Sequence, residues 1–337
     1  MKDQRAGMAL DEGLRNRELI RVLFDRYYRH GVRADDMSSH WRQYSDLFRV
    51  EFDSGGGLTA LDGVGFGELR WRSPGRRLIQ NLCIGSHLLH LPRRRRLWAL
   101  RPLLRRVCSD MGLDPTMDAF RQLCTLDLLD DAIAKTAARS PRFLLIGDGF
   151  GVLGSLLKAH YPDASLVMVD LGQSLCFQAF HCQKAHPASV HALAGTADAV
   201  GADFVYCSSD TLDSIASLEF DVAVNVASMQ EMTPATVASY FLLLRRQLRP
   251  SNLFYCCNRE FKRLPDGQTS VFTEYPWVDA DQVLIDEPCP WHQYHFTPRW
   301  TGRSPRIAGI PIPGVSYYDG VHRHRLAVLS TSTVRPQ

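Results

Sequence analysis

The chain has 337 residues, 45% of them hydrophobic and 22% charged, with a formal net charge of +3. That length suits one large domain or two ordinary ones, and that balance excludes disordered and fibrous classes. No apolar run approaches the roughly 18 residues of a membrane span, and MKDQRAGMALDEG lacks the apolar core of a signal peptide, so a cytoplasmic location is expected. Nine cysteines are scattered with no C-x-x-C pair, which fits free, mostly buried thiols in a reducing compartment.

Up to about residue 50, Leu14, Ile20, Val22, Leu23 and Tyr27 recur among arginines in a helical pattern. Trp41, Tyr44, Leu47 and Phe48 form a second apolar stretch. The segment DSGGGLTALDGVGFGELRW then carries Gly63, Gly65 and Gly67. No continuous apolar strand leads into this string and no acid-ended strand follows at the right distance, so it predicts a loop or lid. Helical patterns resume over 78–91, in an arginine-rich segment, and over 117–138. Arg93, Arg94, Arg95, Arg96, Arg101, Arg105 and Arg106 carry most of the basic excess, while Leu97, Leu100, Leu103, Leu104 and Val107 recur between them. That spacing predicts a helix with one apolar and one solvated basic face. A phosphate- or RNA-binding surface is the competing reading.

From residue 143 the pattern alternates. Strand-like runs at 143–146, 166–169, 204–207, 222–226 and 253–257 are separated by helical stretches. The clearest helix is 234–248, with Thr233 as its cap and Pro250 beyond its end. Late strand candidates lie at 283–285 and 325–329, either side of a long loop rich in proline and aromatic residues. Strand–helix alternation implies a mostly parallel sheet covered on both faces.

The most specific segment is FLLIGDGFGVLGSLLKAHYPDASLVMVD, residues 143–170. Strand, glycine turn, helix, strand and terminal acid make the βαβ unit that binds an adenosine-containing cofactor. Glycines let backbone N–H groups approach the ligand, and a carboxylate at the next strand end can hold two ribose hydroxyls. Gly149, Gly151 and Gly154 match the dinucleotide spacing, and Gly147, Gly149 and Gly151 match the S-adenosylmethionine spacing. Ile146 ends the strand, so the turn begins at Gly147, and a dinucleotide register from there would need glycine at Val152. The register favours S-adenosylmethionine over a nicotinamide or flavin dinucleotide. Candidate cofactor residues are Gly147, Asp148, Gly149, Gly151, Asp170, the following Leu171, Ser209 after the third run, and Asn225, expected to face the ligand from the fourth.

The segments IGDGFG, VDLGQSL, NVASMQEM with the helix after it, CCNRE and EYPW resemble the sugar O-methyltransferase family of class I S-adenosylmethionine-dependent methyltransferases, over residues 141–330. Gly172 departs from the pattern, since similar proteins often carry proline there. The resemblance implies an α/β fold: a Rossmann-like seven-stranded methyltransferase sheet, mostly parallel with a late antiparallel strand, and a helical N-terminal region. Residues 1–140 would form that region, as a substrate lid or dimerisation surface, and 141–337 the cofactor-binding domain. The implied reaction is O-methylation of a sugar or sugar-like small molecule. N-methylation, a non-sugar acceptor, or an RNA methyltransferase using the basic helix are the alternatives.

An alcohol acceptor needs a proton acceptor. Glu231, His292 and His295 are the catalytic candidates, with Glu260 and Glu274 also considered. Gln230, Glu274, Trp291 and Tyr294 are candidate substrate contacts, the aromatic pair as planar surfaces for a sugar ring. Cys289, His292 and His295 have C-x-x-H-x-x-H spacing, but Pro288 and Pro290 flank the cysteine and no fourth ligand stands out, so no metal is expected.

Overall fold

The computed structural model describes residues 18–29, 38–44, 47–53, 58–63, 67–71, 73–91, 94–136, 139–296, 304, 306–311, 315–317 and 320–330. Leu14 and Gly65 lie outside the described residues, as do the side chains of Tyr294 and His295.

The centre is an eight-stranded sheet. In chain order its strands are β1 (Arg142–Ile146), β2 (Ser165–Asp170), β3 (His191–Leu193), β4 (Phe204–Ser208), β5 (Phe220–Val226), β6 (Leu248–Arg259), β7 (Gln282–Pro288) and β8 (His322–Val328). Across the sheet the order is β7-β8-β6-β5-β1-β2-β4-β3. All pairings from β3 to β6 are parallel, whereas β8 is antiparallel to both neighbours. The Rossmann-like, mostly parallel sheet with a late antiparallel strand is therefore present, with eight strands rather than seven. The additional strand is β3, three residues too short to stand out in sequence.

The apolar runs form strands because both sheet faces are covered. Phe143, Leu145, Leu166 and Met168 enter one hydrophobic cluster, and Leu144, Ile146, Val167 and Val169 the other. This period-two division is what a doubly covered sheet requires. Helices α1 (Pro74–His90), α2 (Arg94–Met111), α3 (Met117–Ile133), α4 (Val152–His160) and α5 (Gly172–Ala185) layer the first face. The segment 18–29, a helix ending in a π-helical turn at Asp25–Arg29, joins them through Leu23 and Tyr27. On the second face lies α6 (Pro234–Gln247), where Thr233 Oγ1 accepts the Thr236 N–H at 3.2 Å as the expected N-cap. The N-terminal helices thus share one continuous core with the sheet.

The arginine helix α2 buries Leu97, Leu104 and Val107. Arg96 pairs with Asp127 at 2.8 Å and also with Asp130, and Arg101 stacks over Trp98 at 4.5 Å. Part of the basic face is therefore spent on the protein itself. The glycine-rich segment is not wholly loop: Leu58–Asp62 forms a strand antiparallel to Arg49–Phe52. Among the described residues no helix is long and apolar enough to cross a membrane.

Gly172 has a physical reason. It opens α5 where proline or alanine suits a helix, yet a Cβ there would lie 2.3 Å from Cδ1 of the Tyr27 ring. The glycine admits the N-terminal segment onto the sheet layer. Alanine at an unobstructed site of this kind normally stabilises by about 0.4–1 kcal/mol. Here Gly172→Ala is expected to cost about 1–3 kcal/mol by overpacking, and to become neutral or stabilising in a Tyr27→Ala background. Denaturant titration of the four variants checks this; a stabilising Gly172→Ala beside intact Tyr27 would rule out the contact.

Candidate functional site

Sheet topology locates the site. From β1 the chain builds β2, β3 and β4 on one side, in spatial order β2-β4-β3, then returns to place β5 on the other side of β1. Crevices form at the carboxyl ends of strands at such a switch point. A cavity of about 310 Å³ opens there, lined by Gly147, Asp148, Gly149, Asp170, Leu171 and Ser209 from the β1, β2 and β4 ends. Ala227, Ser228, Gln230 and Glu231 line it after β5, and Asp118, Arg121 and Gln122 from α3. Ser38, Trp41 and Gly67 contribute from the N-terminal region. The volume lies in the range of small-molecule pockets.

The glycine turn is built on backbone geometry that other residues adopt poorly. Gly147, Gly149 and Gly151 have φ of 75°, 57° and 77°. A Cβ on Gly147 would sit 1.9 Å from Ser228 Oγ, so this position requires glycine for space as well as conformation. Asp148 then reaches forward to the start of α4, accepting the N–H groups of Leu153 at 3.2 Å and Gly154 at 2.7 Å. Asp170 accepts the N–H of Gly149 at 3.2 Å, the N–H of Leu171 at 2.8 Å and Nε2 of Gln178 at 2.6 Å. Burial pushes both carboxyls up to about 7, against the lowering effect of these backbone donors.

Gly151 does not line the cavity; it caps α4 from behind, against Cys182. Gly154 has a packing role, since a Cβ there would meet Met168 Cε at 2.8 Å. Asn225 is a correction. It is fully buried below the cavity and does not face a ligand. Its Nδ2 donates to the Ile146 carbonyl at 2.9 Å, and its Oδ1 accepts from Met229 N–H at 3.2 Å and Asn258 Nδ2 at 2.8 Å. Asn258 Oδ1 in turn accepts the Gln230 N–H at 3.0 Å, and Gln230 Oε1 accepts the Arg259 N–H at 2.8 Å. These amides brace the ends of β1, β5 and β6. The bend out of β5 is sharp enough to put Ala227 in the left-handed region, φ 56°, a local strain held beside the cavity.

Glu231 lines the cavity and is held by the Lys262 ammonium, with Nζ at 2.7 Å, and by a contact to His40 Nε2 at 3.2 Å. Burial alone would raise its carboxyl, but the His40 hydrogen bond and the Lys262 charge outweigh burial and hold it below its ordinary value. His292 also lines the cavity; burial first, then the Arg121 charge, keep its imidazole well below the usual range. Its Nδ1 lies 3.6 Å from Cys289 Sγ and 3.8 Å from Cys257 Sγ. The C-x-x-H pair therefore meets a second thiol, Cys257, from β6.

Two further candidates lie away from the cavity. Glu274 is exposed, in the 3₁₀ turn Phe272–Glu274, and does not line the cavity. Trp291 is buried edge-on against His324 with ring centroids 5.2 Å apart, and only its carbonyl is engaged, by Arg121 Nε at 2.9 Å. The loop after β7 folds the Trp291 ring into the core, while Glu274 sits on a separate exposed turn. Residues that local reading missed include Ser228, Asp118 and Arg121. The last two stand at i, i+3 on α3 and form an ion pair, a pattern that marks a polar face on a helix whose other side is core.

No family model and no curated protein matches the sequence. Among solved structures, the fold is similar to TehB from Haemophilus influenzae, at 12% identity over 60% of this chain and 62% of that one, TM-score 0.41. It is similar to a S-adenosylmethionine-dependent methyltransferase from Clostridium acetobutylicum ATCC 824, at 11% identity over 60% and 90%, TM-score 0.38. The PH0226 protein from Pyrococcus horikoshii OT3 aligns at 13% identity over 61% and 90%, TM-score 0.36.

The two raised carboxyls make a pH prediction. In the unfolded chain aspartate titrates near 4; in the folded chain Asp148 and Asp170 titrate at about 7. Between those values the folded state holds protons that the unfolded state has lost, so their contribution to stability falls as pH rises from about 4 to about 7, then levels off. Melting temperatures of Asp170→Asn should decline less over that span than those of the parent chain. Parallel curves would refute the raised carboxyl.

Proposed function

We propose that the chain is an S-adenosylmethionine-dependent methyltransferase whose acceptor is a small polyhydroxylated molecule, a sugar or sugar-like hydroxyl compound. The observation that carries this reading is the cavity in which the Gly147–Gly149 turn and Asp170 meet at the switch point. The residues fit the cofactor. Side-chain space is closed at Gly147, which leaves room only for backbone beside a ligand. Asp170 accepts three donors, and a carboxylate has about four acceptor positions.

The cofactor supplies an electrophilic methyl group, so the protein's work is positioning and proton removal. In this reading the remaining acceptor position of Asp170 takes a ribose hydroxyl, Leu171 and Ser209 flank the nucleoside, and Gly147, Asp148 and Gly149 line the path of the methionine portion. Glu231, ionised and lining the same cavity, accepts a hydrogen bond or the proton of an acceptor hydroxyl. Asp118, Arg121, Gln122 and Gln230 surround it with further polar groups, which suits a polyhydroxylated acceptor better than an apolar one. The antiparallel β8 supports a methyltransferase over a dinucleotide enzyme, whose doubly wound sheet is mostly parallel. The engagement of Arg96 and Arg101 within the protein weighs against the RNA reading.

Calorimetry with S-adenosylhomocysteine is expected to show saturable binding, weakened at least about tenfold, or ~1.4 kcal/mol, by Asp170→Ala. Binding of a nicotinamide dinucleotide with none of S-adenosylhomocysteine would overturn the assignment. Glu231→Gln should leave that binding intact while transfer of labelled methyl to a panel of sugars and nucleotide sugars drops about 10²-fold. Undiminished transfer would remove Glu231 from the reaction.

A further inference from the structure

Eight of the nine cysteines are buried, and most lie apart in the core. Two of them converge. Cys257, near the end of β6, and Cys289, directly after β7, bring their sulfurs together with Nδ1 of His292, all three donor atoms lying within 4.8 Å of one another. Among the described residues no other group of three or more His, Cys, Asp or Glu side chains converges in this way. The two thiols are fully buried and His292 is 4% exposed.

We propose that Cys257, Cys289 and His292 bind a zinc ion. A tetrahedral zinc with bonds of about 2.3 Å to sulfur and about 2.0–2.1 Å to nitrogen places an S–N edge at about 3.6 Å. The observed Nδ1–Sγ separations are 3.6 Å to Cys289 and 3.8 Å to Cys257. A network of thiols alone explains this arrangement less well. Neutral imidazole offers one lone pair at Nδ1, which can accept from one S–H at a time, yet both sulfurs approach it. A cation at their centre satisfies all three donors together. Two thiolates and one imidazole are a soft donor set that suits zinc over magnesium or calcium. On binding, each thiol gives up its proton to solvent, so the two thiolates cancel the zinc charge and the buried site stays neutral.

The backbone is arranged to hold the set. Cys289 N–H donates to the His322 carbonyl at 2.7 Å, fixing the post-β7 turn to β8, and His292 N–H donates back to the Cys289 carbonyl at 3.3 Å. Cys257 comes from β6, on the other side of β8. The ion therefore ties two strands across a third. Three protein donors leave one tetrahedral position, and His292 lines the cavity. Sites with three protein ligands keep that position for water or substrate. The proposal stands independently of the methyl-transfer reading, since none of its three residues is placed on the cofactor.

The test is metal analysis of the purified, reduced full-length chain, followed by cobalt substitution. About one zinc per chain is expected, with a near-ultraviolet thiolate-to-cobalt charge-transfer band after exchange. That band should fall by about half in Cys257→Ser and in Cys289→Ser, as one of two thiolates is lost, and keep its intensity in Cys83→Ser. Folding of each variant is checked by circular dichroism, and the metal content of the parent chain decides the matter if a variant fails to fold. A folded, reduced parent chain that carries no zinc and gives no cobalt band overturns the proposal. So does a band of full intensity in Cys257→Ser or Cys289→Ser, or a Cys257–Cys289 disulfide whose reduction yields no metal binding. S-adenosylhomocysteine binding by the same samples keeps this outcome distinct from failure of the cofactor reading.

Discussion

The carboxylate of Asp170 is the contact on which the site depends. It joins the end of β2 to the Gly149 amide in the preceding turn and to Gln178 on α5. The Gly147 N–H to Val169 carbonyl bond, 2.8 Å, and the Cys182 thiol on the Gly151 carbonyl reinforce the same junction. Left-handed backbone in three alternating residues is entropically costly even for glycine, and the 3.2 Å hydrogen bond from Gly149 to the carboxylate offsets part of that cost. Burial raises the same carboxyl to about 7, so the group that organises the turn is also poised to change charge near neutrality.

Around that contact the cavity is assembled from two kinds of wall. The sheet side is rigid: Asn225, Asn258 and Gln230 interlock three strand ends with every bond internal to the protein. The opposite side comes from α3 and from the N-terminal segment carrying Ser38 and Trp41, joined across by the His40–Glu231 pair. A polar interior this deep is tolerable because its members pair with one another: Asp118 with Arg121, Glu231 with Lys262. The N-terminal region thus shapes the cavity alongside the sheet.

Much of the fold was legible because strands buried on both faces read as unbroken apolar runs. The runs at 143–146, 166–169, 204–207, 222–226 and 253–257 all lie within sheet strands. β3 escaped notice because three residues carry no period, and Leu58–Asp62 because its strand is embedded in glycines. The glycine turn and Asp170 were legible as chemistry tied to local spacing, and they meet at the cavity. Asn225 was located correctly at a strand end, but the direction of its side chain depends on Asn258, a partner on another strand. Trp291 shows the same limit: an aromatic residue in a loop can stack on a ligand or on the core, and Arg121 and His324 decide it here. The meeting of Cys257 with Cys289 and His292 is a tertiary event with no local signature.

The placement of β8 has a consequence for the order in which the molecule becomes competent. β7 pairs with no strand of the central sheet except β8, and β8 is the last strand made. During synthesis the segment carrying Cys289 and His292 thus has no neighbour in the sheet until the final strand inserts between β6 and β7. The long-range pairing makes this a slow step. A nascent chain can assemble the glycine turn and Asp170 early, from sequence-local parts. The far wall at His292 and His322 closes only once β8 is in place. Assembly therefore proceeds from the glycine-turn end of the cavity toward the end at His292 and His322, and a chain lacking β8 would stop halfway.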